Sequence, residues 1–159
     1  MLDLEEVKMR ILQGEEIENV LKDVNWKEFE EFVKKILENH GFETFHNFRF
    51  KTRRRYEIDV FGIKRNLALI IDCKKWRRGR YKKFGLKQAA YSQKERVKEL
   101  KKFLKQNPIA QTNFKLNKRT KFFPLIITWY EEELLSYANV LIVPVWKFNE
   151  FLLRISEYI

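Results

Sequence analysis

The chain has 159 residues, 45% of them hydrophobic, and a formal net charge of +11. That suffices for one domain with its own core, is too short for two ordinary domains, and is too apolar for a disordered chain. No apolar run approaches the roughly 18 residues of a membrane span, and the acidic start MLDLEEVKMR lacks the apolar stretch of a signal peptide. With Cys73 as its one cysteine, the chain can form no internal disulfide. A cytoplasmic location without a membrane partner is the expectation.

Charge is unevenly spread. From Met1 to Glu31 acids outnumber bases, whereas Arg49–Lys87 holds fifteen Lys and Arg against only Glu57, Asp59 and Asp72. A basic block that encloses a few acids reads as a polyanion surface around a site. A solvated basic face is the plain alternative. His40 and His46 lack the spacing of a zinc site.

In chain order, residues 3–23 predict two short helices split near Gly14, with Leu4, Val7, Ile11, Ile17, Val20 and Leu21 inward. This acidic arm, residues 1–24, suits packing or contact with a protein partner. Asn25 then offers an N-cap with Glu28 three residues on, and the helix runs to about Asn39 before Gly41. Its apolar stripe is Trp26, Phe29, Phe32, Val33, Ile36 and Leu37, and Glu30 lies along the stripe's edge, the helix acid best placed to face a sheet. Phe42–Phe50 reads as a strand, and Lys51–Arg55, with Arg53, Arg54 and Arg55, as a basic turn.

Two apolar runs, Tyr56–Phe61 and Leu67–Cys73, flank a turn at residues 62–66 and read as a β-hairpin. Lys75, Trp76, Arg77, Arg78 and Arg80 follow in a loop where cations alternate with aromatics, suited to phosphate contact and base stacking. A helix is predicted from Leu86 to Gln106, with the amide of Gln93 inside its apolar stripe and Gln88 off it. A polar link from Ile109 to Lys121, strands Phe122–Trp129 and Val140–Val145, and a helix Lys147–Tyr158 complete the chain. The fold class is α/β, with residues 25–159 forming a αβββαββα sandwich around one mixed sheet.

Asp59 and Asp72 interrupt the two arms of the hairpin, and Lys74 shares a strand face with Asp72 while Cys73 points the other way. Such charges are costly in a core hairpin unless something engages them. Phosphodiester hydrolysis supplies a reason. A hard divalent cation takes oxygen ligands, here the carboxylates of Asp59 and Asp72 with the Cys73 carbonyl. Lys74 would orient the attacking water or offset phosphate charge, and Glu30 would bind the metal directly or through water.

Asp59, then Asp72-Cys73-Lys74, resembles the PD-(D/E)xK nuclease signature. Phe29-Glu30-Glu31-Phe32-Val33 running to Gly41-Phe42 resembles the first helix of Mrr-like restriction endonucleases and archaeal Holliday-junction resolvases, in which a glutamate eleven residues before the Gly-Phe pair joins the site. Here that glutamate is Glu30. The resemblance covers roughly Trp26 to Leu104, and Ile58 stands where the signature has proline. It implies a restriction-endonuclease-like fold, Mg²⁺ with Mn²⁺ as substitute, a DNA substrate and, as in the resolvases, a homodimer. It also implies a catalytic set of Glu30, Asp59, Asp72 and Lys74, with a glutamine from the next helix, Gln93 or Gln88. Two other readings fit the same residues: a nucleic-acid-binding module that keeps the fold without catalysis, and a subunit docked to a catalytic partner through the acidic arm.

Overall fold

The structure, a computed structural model, describes residues 4–16, 19–20, 25–75, 82–130, 132 and 134–158; for Leu4, Lys8, Trp26 and Lys82 it describes the backbone alone. Helix α1 (Leu4–Leu12) buries Val7 and ends before Gly14, whose φ of +88° is one that glycine adopts at little steric cost. Asn19 and Val20 are helical, and Val20 is buried; Ile17 and Leu21 lie outside the described residues. Helix α2 (Trp26–Asn39) starts from the predicted capping box, with the Glu28 amide donating to Asn25 Oδ1 at 2.9 Å and the Asn25 amide to Glu28 Oε2 at 3.1 Å. It ends as Gly41 turns to φ +83°, which lets the Phe42 amide donate back to the Leu37 carbonyl.

Six strands follow: β1 (Glu43–Lys51), β2 (Arg55–Lys64), β3 (Leu67–Lys74), β4 (Lys121–Thr128), β5 (Ser136–Tyr137) and β6 (Val140–Pro144). They form one mixed sheet in the order β1-β2-β3-β4-β6-β5, antiparallel from β1 to β3, parallel from β3 through β4 to β6, and antiparallel again at β5. Helix α3 (Lys82–Gln106) makes the crossover from β3 to β4, followed by α4 (Pro108–Asn113); α5 (Val145–Leu153) and a 3-10 turn (Ile155–Glu157) close the chain. Helices α2 and α5 cover one sheet face through Phe29, Val33, Leu37 and Phe148, whereas α3 covers the other through Val97, Leu100 and Leu104. The α/β sandwich is therefore as the sequence predicts. Among the described residues, no helix is long and apolar enough to cross a membrane.

Several details differ from expectation, among them α3, which starts at Lys82, four residues before Leu86. The hairpin turn is only Arg65-Asn66, because β2 runs on through Gly62 to Lys64. Gly62 is buried there, where a Cβ would stand 3.1 Å from Leu37 Cδ1, so it serves close packing of α2 and not the turn. Pro108 both ends α3 and occupies the first turn of α4, which makes part of the supposed link helical. Strand β5, joined to β6 by Ala138 and Asn139 at positive φ, is too short to show a periodic pattern. The last helix starts at Val145 and stops at Leu153, earlier at both ends than its apolar spacing suggests.

Gly62→Ala is expected to lower stability by about 1 kcal/mol, or roughly 2–4 °C in Tm, because Leu37 must yield to the new methyl. Thermal unfolding followed by circular dichroism measures this, and an unchanged or raised Tm would show that the contact relaxes freely.

Candidate active site

The two aspartates owe their position to a break in the sheet. The β2–β3 ladder ends at Val60↔Ile71, so Asp59 and Asp72 are the next opposed residues beyond it. The β1–β2 ladder likewise skips Asn47 and Asp59, which its register would pair, and Asn47 has φ +52°. Phe45, Phe48 and Phe50 on β1 all join one cluster beneath α3, as do Tyr56, Ile58, Phe61 and Ile63 on β2. In each strand the inward spacing jumps from two to three across this point. The alternation resets at Asp59, and the carboxylate turns into the gap between β2 and β3.

There the Cys73 amide donates to Asp59 Oδ2 at 2.9 Å, replacing the lost ladder bond. The charges of Asp72 and Glu30 both act on Asp59. Burial first, then the Asp72 charge, push the Asp59 carboxyl up to about 7, against the opposing pull of the Cys73 amide. Glu30, 6% exposed, and Asp72, 5% exposed, are both buried. With its amide oriented to donate, Asn47 lies 3.3 Å from Glu30 Oε2 and from Glu57 Oε1.

Cations meet Asp72 from the α3 side. Lys74 Nζ is 3.1 Å from Asp72 Oδ2, and Arg96 Nη1 is 3.9 Å from Oδ1. Cys73 faces the α2 layer, where burial pushes its thiol well up, so it reaches the site through its backbone. Gln93 is fully buried and donates to the Ile70 carbonyl at 2.7 Å and the Leu125 carbonyl at 3.3 Å, while its own oxygen accepts from Arg96. The inward hydrogen bond is thus present, and Gln93 connects to Asp72 through Arg96. Gln88 is exposed on α3.

Sequence reasoning missed Arg96 and Asn47. Arg96 stands three residues after Gln93, on an adjoining part of the helix surface, and Asn47 sits where the phenylalanine spacing slips. Arg53, assigned to nucleic-acid contact, pairs with Glu95 and lies 3.8 Å from Glu99, and its Nε donates to the Tyr56 hydroxyl at 3.2 Å. It fastens the β1–β2 loop to α3. Arg54 covers the Tyr56 ring, Arg55 is exposed, and Lys75 Nζ is 5.9 Å from the Trp129 ring centre. Trp76, Arg77, Arg78 and Arg80 lie outside the described residues.

Opposed aspartates at the parting of two strands, a lysine two residues on and a buried helix glutamate mark a nuclease-type domain of the PD-(D/E)xK kind. The model of the NERD family, the nuclease-related domain, matches residues 25–144, and the chain belongs to that family. An uncharacterized protein of Archaeoglobus fulgidus is 27% identical over 137 residues, which cover 86% of this chain and 95% of the relative. Among solved structures, a protein of unknown function, AF1548, aligns over 80% of this chain with 22% identity and a TM-score of 0.48. Protein VC1899 from Vibrio cholerae aligns over 82% with 12% identity and a TM-score of 0.36. The chain spans 65% and 32% of the lengths of those two structures.

The raised Asp59 carboxyl carries a stability signature. A group whose folded pKa exceeds its unfolded value stabilises at low pH and loses that contribution as pH rises through the folded pKa. In metal-free buffer, Asp59→Asn is therefore expected to melt above wild type at pH 8, and the gap to close toward pH 5. Melting curves of both proteins across that range check it; a gap that is constant with pH sinks the idea.

Proposed function

We propose that the protein is a metal-dependent endonuclease that hydrolyses phosphodiester bonds of DNA in the cell's interior, in repair, recombination or restriction. The observation that carries this reading is the opposition of Asp59 and Asp72 in the strand gap, with Lys74 on Asp72 and Glu30 nearby. The half-buried carboxylate of Asp59 and the buried one of Asp72 form an oxygen-only donor set that suits Mg²⁺, with Mn²⁺ as a substitute. Among the described residues no three His, Cys, Asp or Glu side chains suffice to hold a metal by themselves, so the Cys73 carbonyl and water would complete the set. A divalent cation bound there lowers the pKa of water and offsets charge on the phosphate oxygens.

The chain's own groups would do the rest. Lys74 Nζ orients the water oxygen that attacks phosphorus, and Glu30 accepts hydrogen bonds from the water around the acids. The attacking water gives one proton to solvent as its oxygen bonds to phosphorus, the P–O bond to the sugar oxygen breaks, and that oxygen leaves with a proton from solvent. Arg96, braced on Gln93, holds Asp72 in place. Affiliation with the Mrr-like or Holliday-junction-resolvase-like enzymes, a homodimer, and a partner on residues 1–24 belong to the same proposal.

Asp72→Ala is expected to cut DNA cleavage in Mg²⁺ by more than about a hundredfold while duplex binding in chelator stays close to wild type. A variant that cuts as well as wild type overturns the site. A second reading, a binding module without catalysis, is favoured by the two cations already on Asp72. Calorimetric titration with Mg²⁺ or Mn²⁺ separates the two: the nuclease shows binding heat that Asp59→Ala removes, and the module shows none.

A further inference from the structure

Helix α3 has three longitudinal faces. Leu86, Ala90, Gln93, Val97, Leu100 and Leu104 form the face against the sheet and are buried. A second side carries Glu95 and Glu99, which hold Arg53 and Thr52 of the β1–β2 loop; Thr52 Oγ1 donates to Glu99 Oε2 at 2.6 Å. At about 100° per residue the third side collects Lys83, Lys87, Lys94, Lys98, Lys101 and Lys105, with Tyr91 among them and no acid.

Five of these lysines are exposed and Lys87 is half-buried. The salt bridges of the described residues give none of the six a carboxylate partner, although Lys34, Lys102, Lys115 and Arg154 each have one. Instead Lys87 lies over the Tyr137 ring at 5.1 Å and Lys101 over the Phe122 ring at 5.6 Å. Lys94, Lys98 and Lys101 line an open groove with Phe122, Pro124 and the Asn139 turn, and Glu95 and Glu99, which hold Arg53, stand at its other margin. Six cations on one side of a rigid helix repel each other, an arrangement stabilised by a polyanion laid along it.

We infer that this lysine flank is a docking surface for the sugar-phosphate backbone of duplex DNA, separate from the basic segments beside the strand gap. It rests on the nucleic-acid reading proposed above and extends it to where the duplex lies. From Lys83 to Lys105 the flank is about 33 Å long, close to one turn of B-form duplex. A straight helix can follow a stiff rod over that distance. Single strands are held by aromatic platforms, and here Tyr91 is already packed edge-on against Tyr137, with ring centres 5.3 Å apart. A membrane-surface helix needs an apolar face free to insert, and that face of α3 is in the core. Arg96, which lies 3.9 Å from Asp72, projects from the middle of α3 on the side away from these lysines, so the flank is a surface distinct from the strand gap.

The test replaces Lys94, Lys98, Lys101 and Lys105 together with glutamine and measures binding by fluorescence anisotropy, in chelator. The probe is a duplex of about 20 base pairs, and salt runs from about 50 to 300 mM. Each phosphate that is no longer neutralised lowers the slope of log affinity against log salt by about 0.9, so the slope is expected to fall by about 3 to 4. Affinity near 100 mM salt should drop more than about tenfold. An unchanged slope and affinity, or no duplex binding by the wild type, overturns the proposal. So does a stronger hold on single-stranded DNA of equal length, or on phosphatidylserine–phosphatidylcholine vesicles, that the variant loses equally. The two readings fail separately: intact cleavage with an unchanged slope removes the flank alone, and a reduced slope without any cleavage by wild type removes the nuclease alone.

Discussion

Two carboxylates facing one another across a parted β-ladder are the constraint on which the rest of the site depends. The pairing is unfavourable for Asp59, whose charge is penalised by burial and by the neighbouring Asp72. The fold tolerates the pair because the Cys73 amide donates to Asp59 and because Lys74 and Arg96 approach Asp72. What remains is an Asp59 carboxyl pushed up to about 7 by burial and by the Asp72 charge. A third acid, Glu30, increases that tension.

The gap also explains how groups from opposite layers can meet. Regular alternation sends Cys73 into the α2 layer and Asp72 and Lys74 toward α3. A continuous sheet would keep the layers apart. Where β2 and β3 part, Asp59 feels Glu30 from α2 and Asp72 from the other side at once. The irregularity at Asn47 and Asp59 marks where this happens: Tyr56 and Ile58 on one side of Asp59, and Phe61 and Ile63 on the other, face the cluster beneath α3 with opposite parity, so Asp59 sits at the change of step.

Helix α3 ties these parts together. Its core face carries Gln93, whose amide reaches carbonyls on β3 and β4 and whose oxygen steadies Arg96. Its acidic side holds the loop leading into β2, through Arg53 and Thr52, and thereby the approach to Asp59. The site is thus braced from a helix that contributes no carboxylate to it, as well as from α2.

Much of this was open to view in the chain. The capped helix, the hairpin, Glu30 at the edge of its stripe, and Asp72 and Lys74 on one face all rest on rules with periods of 3.6 or 2, which act over a few residues. Local chemistry likewise sufficed to select Asp59, Asp72 and Lys74, because acids inside apolar strands are conspicuous. Other features depend on distant neighbours. Gly62 looked like a turn residue until Leu37 was packed against it, Arg53 looked free until Glu95 and Glu99 came alongside, and Arg96 had no visible partner before α3 lay across β3. The sequence by itself determined which acids and which lysine interrupt the apolar strands of the hairpin. Only the tertiary structure decided which cations are already engaged, and that the two aspartates meet where the ladder opens, because register and interlayer contact join residues far apart in the chain.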